Sequence, residues 1–385
     1  MRMKQLKTIA DIQTGPFGSQ LHKEDYVETG TPIVTVEHLG NRVFTEQNLP
    51  RVSDSDKARL IKYTLSTGDI VFSRVGSVDR CSYVDKSHDG WMFSGRCLRV
   101  RPTELVDSLY LYYYFCLEET KQFVRNIAVG ATMPSINTKL LGEVEIALPD
   151  LNNQKRIAAV LSSLDDKIEN NQKLNDNLQQ QAMALYAEMF LNSSDNNVTS
   201  GTLSDIAAIT MGQSPSGSSY NEDGVGEVFY QGRAEFGFRF PKRRLFTTEP
   251  KRMAETGDVL LSVRAPVGDL NVAYERCCIG RGLGAIHSKT GHSSFVLYTM
   301  FALRSQLDVF NGEGTVFGSI NRDALNAIPI DIPPVTEIDQ FEAVAHPIDE
   351  LIRANYEENC RLEAIRDSLL PKLMSGEIDV SAVNL

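Results

Sequence analysis

Three residues near the end of the first third of the chain have the types found in a magnesium nuclease. Asp107 and Glu119 could hold the metal, and Lys121 could lie near the scissile phosphate. The spacing predicts an amphipathic helix over this segment, and a related segment later in the chain, residues 303–305, lacks the acidic residues. The preferred interpretation is therefore a solvated helical face.

Two further groups also have simpler explanations than catalysis. Residues 280–284 (GRGLG) resemble a glycine-rich cofactor loop, but no helix N-terminus follows to bind phosphate, so a β-turn is preferred. Cys277 and Cys278 with His287 and His292 could be zinc ligands, but neighbouring strand residues alternate between faces, which favours buried thiols. GxxxxGK[ST], HExxH and GxSxG motifs do not occur. The sequence predicts a chain that is non-catalytic by itself and binds no metal or cofactor.

Glycine-punctuated loops carry polar and basic side chains at matching places in both halves of the chain. Residues 14–20 match 212–216, Arg74 matches Arg264, and residues 130–137 match 314–321. Such loops let backbone amides and short side chains approach phosphates closely, although ordinary turns and solvated arginines remain an open alternative for each residue. Arg239 and Arg244 add to the basic residues of the second half. The candidate DNA-binding residues are Thr14, Phe17, Ser19, Gln20, Arg74, Ser77, Thr132, Asn137, Gln213, Ser214, Ser216, Arg233, Lys242, Arg243, Arg264, Thr315 and Asn321.

The chain is an internal duplication. TGDI at residues 67–70 recurs as TGDV at 256–259, and SIN at 135–137 recurs at 319–321. The offset between copies falls from 197 residues at Gly15 and Gly212 to 184 at Ser135 and Ser319, because the intervening loops differ in length. Two copies indicate a duplication and not a solenoid.

Each copy begins with a mixed α and β globule. Strands are predicted over residues 32–36, 69–73, 97–100, 144–148, 228–230, 258–263, 284–287 and 328–332. One helix per globule is predicted, over residues 109–124 and 295–310. The tyrosine cluster of residues 110–114 is interpreted as core packing and not as a base-stacking platform.

Each copy ends with a long helix that has an apolar seam spaced four and three residues apart, the spacing of helices that pack together. At about 1.5 Å per residue, each would be roughly 58 Å long. Since neither helix has a sufficient partner of its own, we expect the two to pair, in antiparallel orientation if an approximate two-fold axis relates the copies. The polar seam residues Asn171 and Asn175 are predicted to face Asn355 and Asn359 and to fix the register. The two seams are Ile157, Leu161, Leu164, Ile168, Asn171, Asn175, Leu178, Ala182, Leu185 and Met189, and Phe341, Ala345, Ile348, Ile352, Asn355, Asn359, Leu362, Arg366, Leu369 and Leu373.

Length and charge set the domain organisation. A chain of 385 residues predicts two or three domains, and the segments are residues 1–149, 150–196, 197–336 and 337–385. The net charge of -11 comes almost entirely from the two helical segments, while the globules are nearly neutral. If DNA is bound, the globules bind it, and the acidic helices face a protein. The six cysteines show no CxxC spacing, and neither a signal peptide nor an apolar run of membrane length is evident, so a reducing compartment, the cytoplasm, is expected.

The whole chain resembles the specificity subunits of type I restriction-modification systems. The similarity is strongest in residues 14–26 (TGPFGSQLHKEDY), in the first helix from Leu148-Pro149 through Ile168, and in residues 368–378 (SLLPKLMSGEI). It implies an α+β fold: a tandem duplication of an α/β target-recognition domain plus a long helix, with the two helices forming an antiparallel coiled coil.

The resemblance also implies a function. Each target-recognition domain would read one half of a bipartite, asymmetric double-stranded DNA site, and the helices would recruit two methyltransferase subunits, which restriction and translocase subunits join. S-adenosylmethionine, ATP and Mg would then be bound by the partners. The alternatives are an interaction scaffold with two protein-binding globules and no role in DNA binding, and a nuclease built on Asp107, Glu119 and Lys121.

The second long helix departs from the first near its start. Pro347 follows His346 where the first helix has Ser162-Ser163, and Gln340 is shifted relative to Gln154. Because proline removes a backbone hydrogen bond, a kink or a restart of the helix is expected there.

Overall fold

The structure is a computed structural model that describes residues 2–18, 20–192, 198–312 and 318–383. The chain forms two compact units: Met1–Asn170 with Glu358–Leu385, called unit 1, and Asn171–Glu357, called unit 2. The boundary between the units lies inside both long helices. Each unit therefore contains one globule and a stretch of each long helix.

The described residues of the globule of unit 1 form three sheets. Arg2–Gln5 pairs with Glu145–Leu148, so the first and last strands of the globule close on each other. An antiparallel four-stranded sheet has the order Ala10–Thr14, Cys97–Pro102, Ile70–Ser73, Cys81–Tyr83. The third sheet has the order Tyr26–Val27, Arg51–Val52, Thr31–Val34, Met92–Phe93, and its last pair is parallel.

The globule of unit 2 repeats this arrangement. Thr199–Thr202 pairs with Pro329–Ile332. The antiparallel four-stranded sheet has the order Ala207–Met211, Leu283–Ser288, Val259–Ser262, Leu270–Val272. The third sheet gains a strand and has the order Tyr220–Asn221, Phe246–Thr247, Glu227–Tyr230, Cys277–Ile279, Met253–Ala254.

The strand registers of the two globules match. Val100 lies opposite both Ile12 and Ile70, and Ile286 lies opposite both Ile209 and Val259. Since the buried face of a strand depends on register, matching registers bury matching residues. The predicted duplication and the mixed α and β class are confirmed, and the predicted strand centres agree with the structure to within a few residues at their ends.

The predicted single helix of each globule is wrong in one respect, because two helices take its place. In unit 1 the helices are Ser108–Cys116 and Glu118–Ile127, and Leu117 between them is extended with ψ of 133°. In unit 2 they are Ser293–Ala302 and Arg304–Asp308. No glycine or proline marks either break, so the apolar spacing alone did not predict it. The remaining short α-helices of the described residues are Asp54–Arg59, Thr138–Gly142, Leu203–Ile206 and Arg322–Asn326.

The tyrosines of the first of these helices pack in the core, as predicted. Tyr110 and Tyr113 are almost completely buried, and the Tyr110 hydroxyl donates to the Ala147 carbonyl at 2.6 Å. A buried phenol needs such a partner, since an unsatisfied hydroxyl would cost free energy.

The long helices are Leu151–Tyr186, which continues as a π-helical turn over Ala187–Leu191, and Val335–Ser375. The second helix runs through Pro347 without ending, so of the predicted kink or restart the restart is wrong and the kink stays a prediction. Within each unit the two helices are antiparallel. In unit 1, Asn359 forms a hydrogen bond to Ile168 and Arg366 forms one to Asp165. In unit 2, Asn355 forms a hydrogen bond to Asn175, and the ring of Phe341 contacts that of Tyr186. None of the helices formed by the described residues has the length and apolar character needed to cross a membrane.

Candidate nucleic-acid interface

Four loops of unit 1 meet at one end of the four-stranded sheet, and we call residues 14–18, 74–77, 94–96 and 132–137 loop edge 1. Hydrogen bonds between backbones hold the loops together. The Arg74 amide donates to the Arg96 carbonyl at 2.8 Å, and the Ile136 amide donates to the Arg74 carbonyl at 2.9 Å. The Gly76 amide donates to the Pro134 carbonyl at 2.9 Å. The loops therefore form one surface, although they are far apart in sequence.

Two glycines make the close packing of loop edge 1 possible. A Cβ atom at Gly15 would overlap the Ser94 carbonyl, and a Cβ atom at Gly95 would overlap the Pro16 carbonyl. The backbones of the two loops thus touch directly, which requires residues without side chains. Contact between the loops therefore explains the glycines at these two positions.

Phe17 is a large apolar side chain of loop edge 1, with 55% of its surface exposed. The Arg74 guanidinium lies 5.5 Å from the centre of its ring and donates to the Gly95 carbonyl at 3.1 Å. Phe17 also borders a cavity of about 430 Å³, whose lining includes Leu21, Tyr26, Glu37 and Arg96. The predicted candidate Gln20 lies beside this edge, where its side chain accepts a hydrogen bond from Tyr63 at 2.7 Å.

Unit 2 has the equivalent surface, loop edge 2, formed by residues 211–216, 263–265, 280–282 and 318–321. The Gly212 amide donates to the Leu283 carbonyl, the Val263 amide to the Gly282 carbonyl and the Ile320 amide to the Val263 carbonyl, at 2.9, 3.0 and 3.1 Å. A Cβ atom at Gly212 would overlap the Gly280 carbonyl, as at Gly15. The candidates Gln213, Ser214, Ser216, Arg264 and Asn321 lie on this edge.

The predicted match between Arg74 and Arg264 is wrong by one residue. Ile136 donates to the Arg74 carbonyl and Ile320 donates to the Val263 carbonyl, so Arg74 corresponds to Val263. In the same way, Val75 and Arg264 form the equivalent isolated bridges to Ser135 and Ser319. The two units therefore present arginine from neighbouring positions of the same loop.

The basic residues of unit 2 divide into paired and unpaired groups. Arg239 was predicted to add to the basic loop residues of this unit. It is instead buried and pairs with Asp349 at 2.6 Å. Arg233 pairs with Asp269 and Arg243 with Glu275, which satisfies their charges within the protein. Arg243 also lies 5.8 Å from the ring of Tyr274, whose hydroxyl donates to the long-helix residue Glu357. Lys242 is exposed.

Asn137 and Asn321 have an evident structural role. Each caps a short helix: the Asn137 side chain accepts from the Leu140 amide and the Asn321 side chain from the Ala324 amide, both at 2.9 Å. This explains why SIN recurs in both copies. Ser77 and Thr132 are exposed on loop edge 1, and Thr14 is half-buried at the end of its strand. Ser19 and Thr315 lie outside the described residues.

The sequence profile of the type I restriction modification DNA specificity domain matches residues 1–180 and 196–357. The chain belongs to this family. Its two matched segments each contain one of the two loop edges.

Full-length relatives agree with the specificity-domain assignment. The chain is 29% identical to the candidate MjaX type I restriction enzyme specificity subunit of Methanocaldococcus jannaschii, across 98% of this chain and 93% of the relative. It is 26% identical to the MjaIX specificity subunit of the same organism, with the same coverage. The solved type I restriction-modification S subunit from M. genitalium shares the fold, with a TM-score of 0.59 at 17% identity over 97% of this chain and 95% of that one.

The residues considered for catalysis have other partners in this specificity-domain protein. The Asp107 carboxylate caps helix Ser108–Cys116 by accepting from the Leu109 and Tyr110 amides. His287 pairs with Asp258 and His292 with Asp339, at 2.6 and 2.8 Å. Cys277 and Cys278 are buried, and the described residues contain no group of His, Cys, Asp and Glu able to hold a metal ion.

Each specificity-domain globule is anchored to a long helix through an aspartate that sequence reasoning missed, buried in unit 1 and partly buried in unit 2. In unit 1, Asp165 accepts from the Tyr113 hydroxyl at 2.6 Å and from Arg366 at 2.7 Å. In unit 2, the equivalent Asp349 accepts from Tyr298 at 2.9 Å and from Arg239. Burial, and then the charge of the adjacent aspartate, raise the pKa of Tyr113 far above its usual value. The arginine in the predicted apolar seam is thus explained by its partner, Asp165.

The helix seam of the specificity-domain chain contains all four predicted asparagines, and each is buried. Asn355 donates to the Asn175 side chain at 2.7 Å, and Asn175 donates to the Ile352 carbonyl at 3.4 Å. Asn359 donates to the Ile168 carbonyl at 3.4 Å. Control of helix register by these residues stays a prediction.

Proposed function

We propose that this chain is the DNA specificity subunit of a type I restriction-modification complex. It reads a bipartite, asymmetric duplex site, with one half-site contacted by each loop edge, and it is non-catalytic by itself. Loop edges of this kind suit a duplex, because exposed side chains project from a rigid surface toward groove and phosphates.

The observation that carries the proposal is that one loop edge occurs twice with different side chains. The backbone hydrogen bonds and the glycine contacts at Gly15 and Gly212 are shared, whereas Phe17 on one edge is replaced by Ser214 at the equivalent position of the other. Because one scaffold presents two sets of reading residues, the two half-sites should differ in sequence.

The partners follow from the division of charge and from the family. The long helices carry the acidic excess, so we expect them to bind protein and not DNA: two methyltransferase subunits, followed by restriction and translocase subunits. Methyl transfer and cleavage would use S-adenosylmethionine, ATP and Mg bound by these partners. Such a complex would act in the cytoplasm.

A map of methylated adenine in the host genome, with and without this gene, tests the proposal. Loss of one bipartite, asymmetric motif on deletion is the expected result. In parallel, the purified full chain is tested for binding to duplexes that contain the motif. The logarithm of the binding constant should fall linearly with the logarithm of the salt concentration. Between 50 and 200 mM salt, the affinity should drop about tenfold or more for each two or three phosphate contacts.

The two measurements separate the proposal from a protein-binding scaffold. An unchanged methylation map together with no salt-dependent duplex binding would exclude DNA recognition. Magnesium-dependent cleavage by the purified chain that Lys121→Ala abolishes would point instead to a nuclease.

A further inference from the structure

Many arginines in the globule of unit 2 are neutralised by carboxylates. The pairs are Arg233 with Asp269, Arg239 with Asp349, Arg243 with Glu275, Arg244 with Glu235, Arg276 with Glu227 and Arg304 with Asp269. Arg281, at the centre of loop edge 2, forms no ion pair with any residue that the structure describes, and its side chain is exposed. It therefore keeps its full charge and its donors for an external acceptor. Arg264 on the same edge also has no ion pair among the described residues, but its neighbours are Val263 and Ala265, not glycines.

The backbone around Arg281 is fixed by close contacts on both sides. A Cβ atom at Gly280 would lie 2.9 Å from the backbone of Gln231, and one at Gly282 would lie 2.8 Å from the Gln231 carbonyl oxygen. The Gly280 amide donates to the Tyr230 carbonyl at 2.8 Å, and the Arg281 amide donates to the Ser214 hydroxyl at 3.3 Å. The turn is thus a rigid platform, which reduces the entropy lost when its side chain binds.

Arg96 lies in the matching turn on loop edge 1. It is exposed and forms no ion pair with the part of the chain that the structure describes, while the nearby Arg99 and Arg101 pair with Asp11 and Asp69. Its carbonyl accepts from the Arg74 amide, and Arg74 uses its guanidinium on the Gly95 carbonyl and the Phe17 ring. Arg74 therefore supports the loop, and Arg96 is the arginine left to contact a ligand.

The two arginines are displaced by one residue within the same turn. Thr14 pairs with Leu98 and Met211 pairs with Gly284, which makes Gly95 equivalent to Arg281 and Arg96 equivalent to Gly282. Because consecutive Cα atoms are about 3.8 Å apart, the two arginine side chains start from different points of the turn. Equivalent turns thus aim their arginines at different places in a groove.

We propose that Arg96 and Arg281 are specificity-determining residues, each of which reads a guanine in the major groove of a different half-site. This inference rests on the proposed function. Guanine offers two acceptors, O6 and N7, that match the paired donors of an arginine, which makes it the base that an unpaired arginine on a rigid turn would select. The one-residue displacement would place the two guanines at different positions within their half-sites.

The test uses the full chain co-expressed with its methyltransferase partners, with Arg96→Ala and Arg281→Ala compared against two arginines that are ion-paired. The controls are Arg125→Ala in unit 1, which loses pairs with Asp79 and Glu118, and Arg276→Ala in unit 2. Methylation and duplex binding are measured on the wild-type motif and on every single-base variant of it.

We expect Arg281→Ala to reduce discrimination at one guanine of one half-site by about 5- to 150-fold, and Arg96→Ala to do the same in the other half-site. The controls should leave discrimination at all positions unchanged. Melting curves check folding, and Arg96→Gln and Arg281→Gln replace any alanine variant that does not fold.

Three results would overturn the inference while leaving the proposed function intact. The first is unchanged base discrimination in both variants, and the second is reduced discrimination within the same half-site for both variants. The third is an equal loss of affinity for all sequences together with a smaller salt dependence of binding, which is the signature of a phosphate contact. Absence of any motif or duplex binding in the wild-type complex would instead refute the proposed function, and the inference with it.

Discussion

The buried pair of Asn175 and Asn355 makes the coupling between the two long helices measurable. Their side chains are 4% and 7% exposed and share a hydrogen bond of 2.7 Å in the apolar seam of unit 2. In Asn355→Leu, the side-chain oxygen of Asn175 loses this donor while it remains buried. An unsatisfied buried polar group costs about 1–3 kcal/mol.

Part of that cost is offset by the better helix propensity of leucine, which contributes about 0.5 kcal/mol. The net expectation for Asn175→Leu or Asn355→Leu is therefore a loss of about 0.5–2.5 kcal/mol in the free energy of unfolding. The double variant replaces both partners by apolar groups and should be close to neutral or more stable than wild type. The two substitutions should thus be coupled by roughly the sum of the two single losses, about 1–5 kcal/mol.

Urea denaturation of the four full-length proteins, followed by circular dichroism, measures this cycle. Asn177→Leu is the matched control, because Asn177 is exposed on the same helix and loses only a surface hydrogen bond from Gln181 while it gains helix propensity. Additive effects of the two seam substitutions, or stabilisation by each one singly, would refute the hypothesis that the asparagines act as a pair.

Two further predictions concern the loop edges and the thiols. Gly15→Ala should lower the melting temperature and weaken duplex binding, because the added Cβ overlaps the Ser94 carbonyl. Gly18→Ala has no atom within 4 Å of its added Cβ and should match wild type in differential scanning fluorimetry. Equal melting temperatures of the two variants would contradict direct backbone contact. Burial raises the pKa of Cys97 to about 12 and that of Cys116 to about 11, so thiolate is scarce at these sites at pH 8. An aromatic disulfide reagent should therefore rapidly label the exposed Cys360 in the folded chain, and it should label all six cysteines after unfolding. Rapid labelling of a folded Cys360→Ser variant would contradict this assignment.

The repeat pattern and the helical seams could be predicted from the sequence because they depend on local spacing. Residues such as Ile157, Leu161 and Phe341 recur at helix-packing intervals, and a long helix buries such a stripe whatever lies beyond it. SIN at residues 135–137 and 319–321 was equally visible, although its asparagines turned out to cap helices. Local chemistry of this kind is encoded within a few residues.

The assignment of individual arginines required the tertiary structure. The sequence does not show which of Arg233, Arg239 and Arg281 is ion-paired. The fold brings Asp269 and Asp349 to the first two, and no described carboxylate pairs with the third. The partner of a charge is set by contacts between residues that are tens to hundreds of positions apart. The same reason explains why the break at Leu117 and the one-residue displacement between Arg74 and Arg264 were missed.

By itself, then, the sequence determined a duplicated α and β chain with two seamed helices and polar, glycine-rich loops in each copy. Tertiary structure decided which loops meet, which glycines touch backbone and which arginines remain for a ligand. The physical reason is that hydrophobic periodicity acts over one or two helical turns, whereas backbone contacts and ion pairs close only when distant strands are brought together in register.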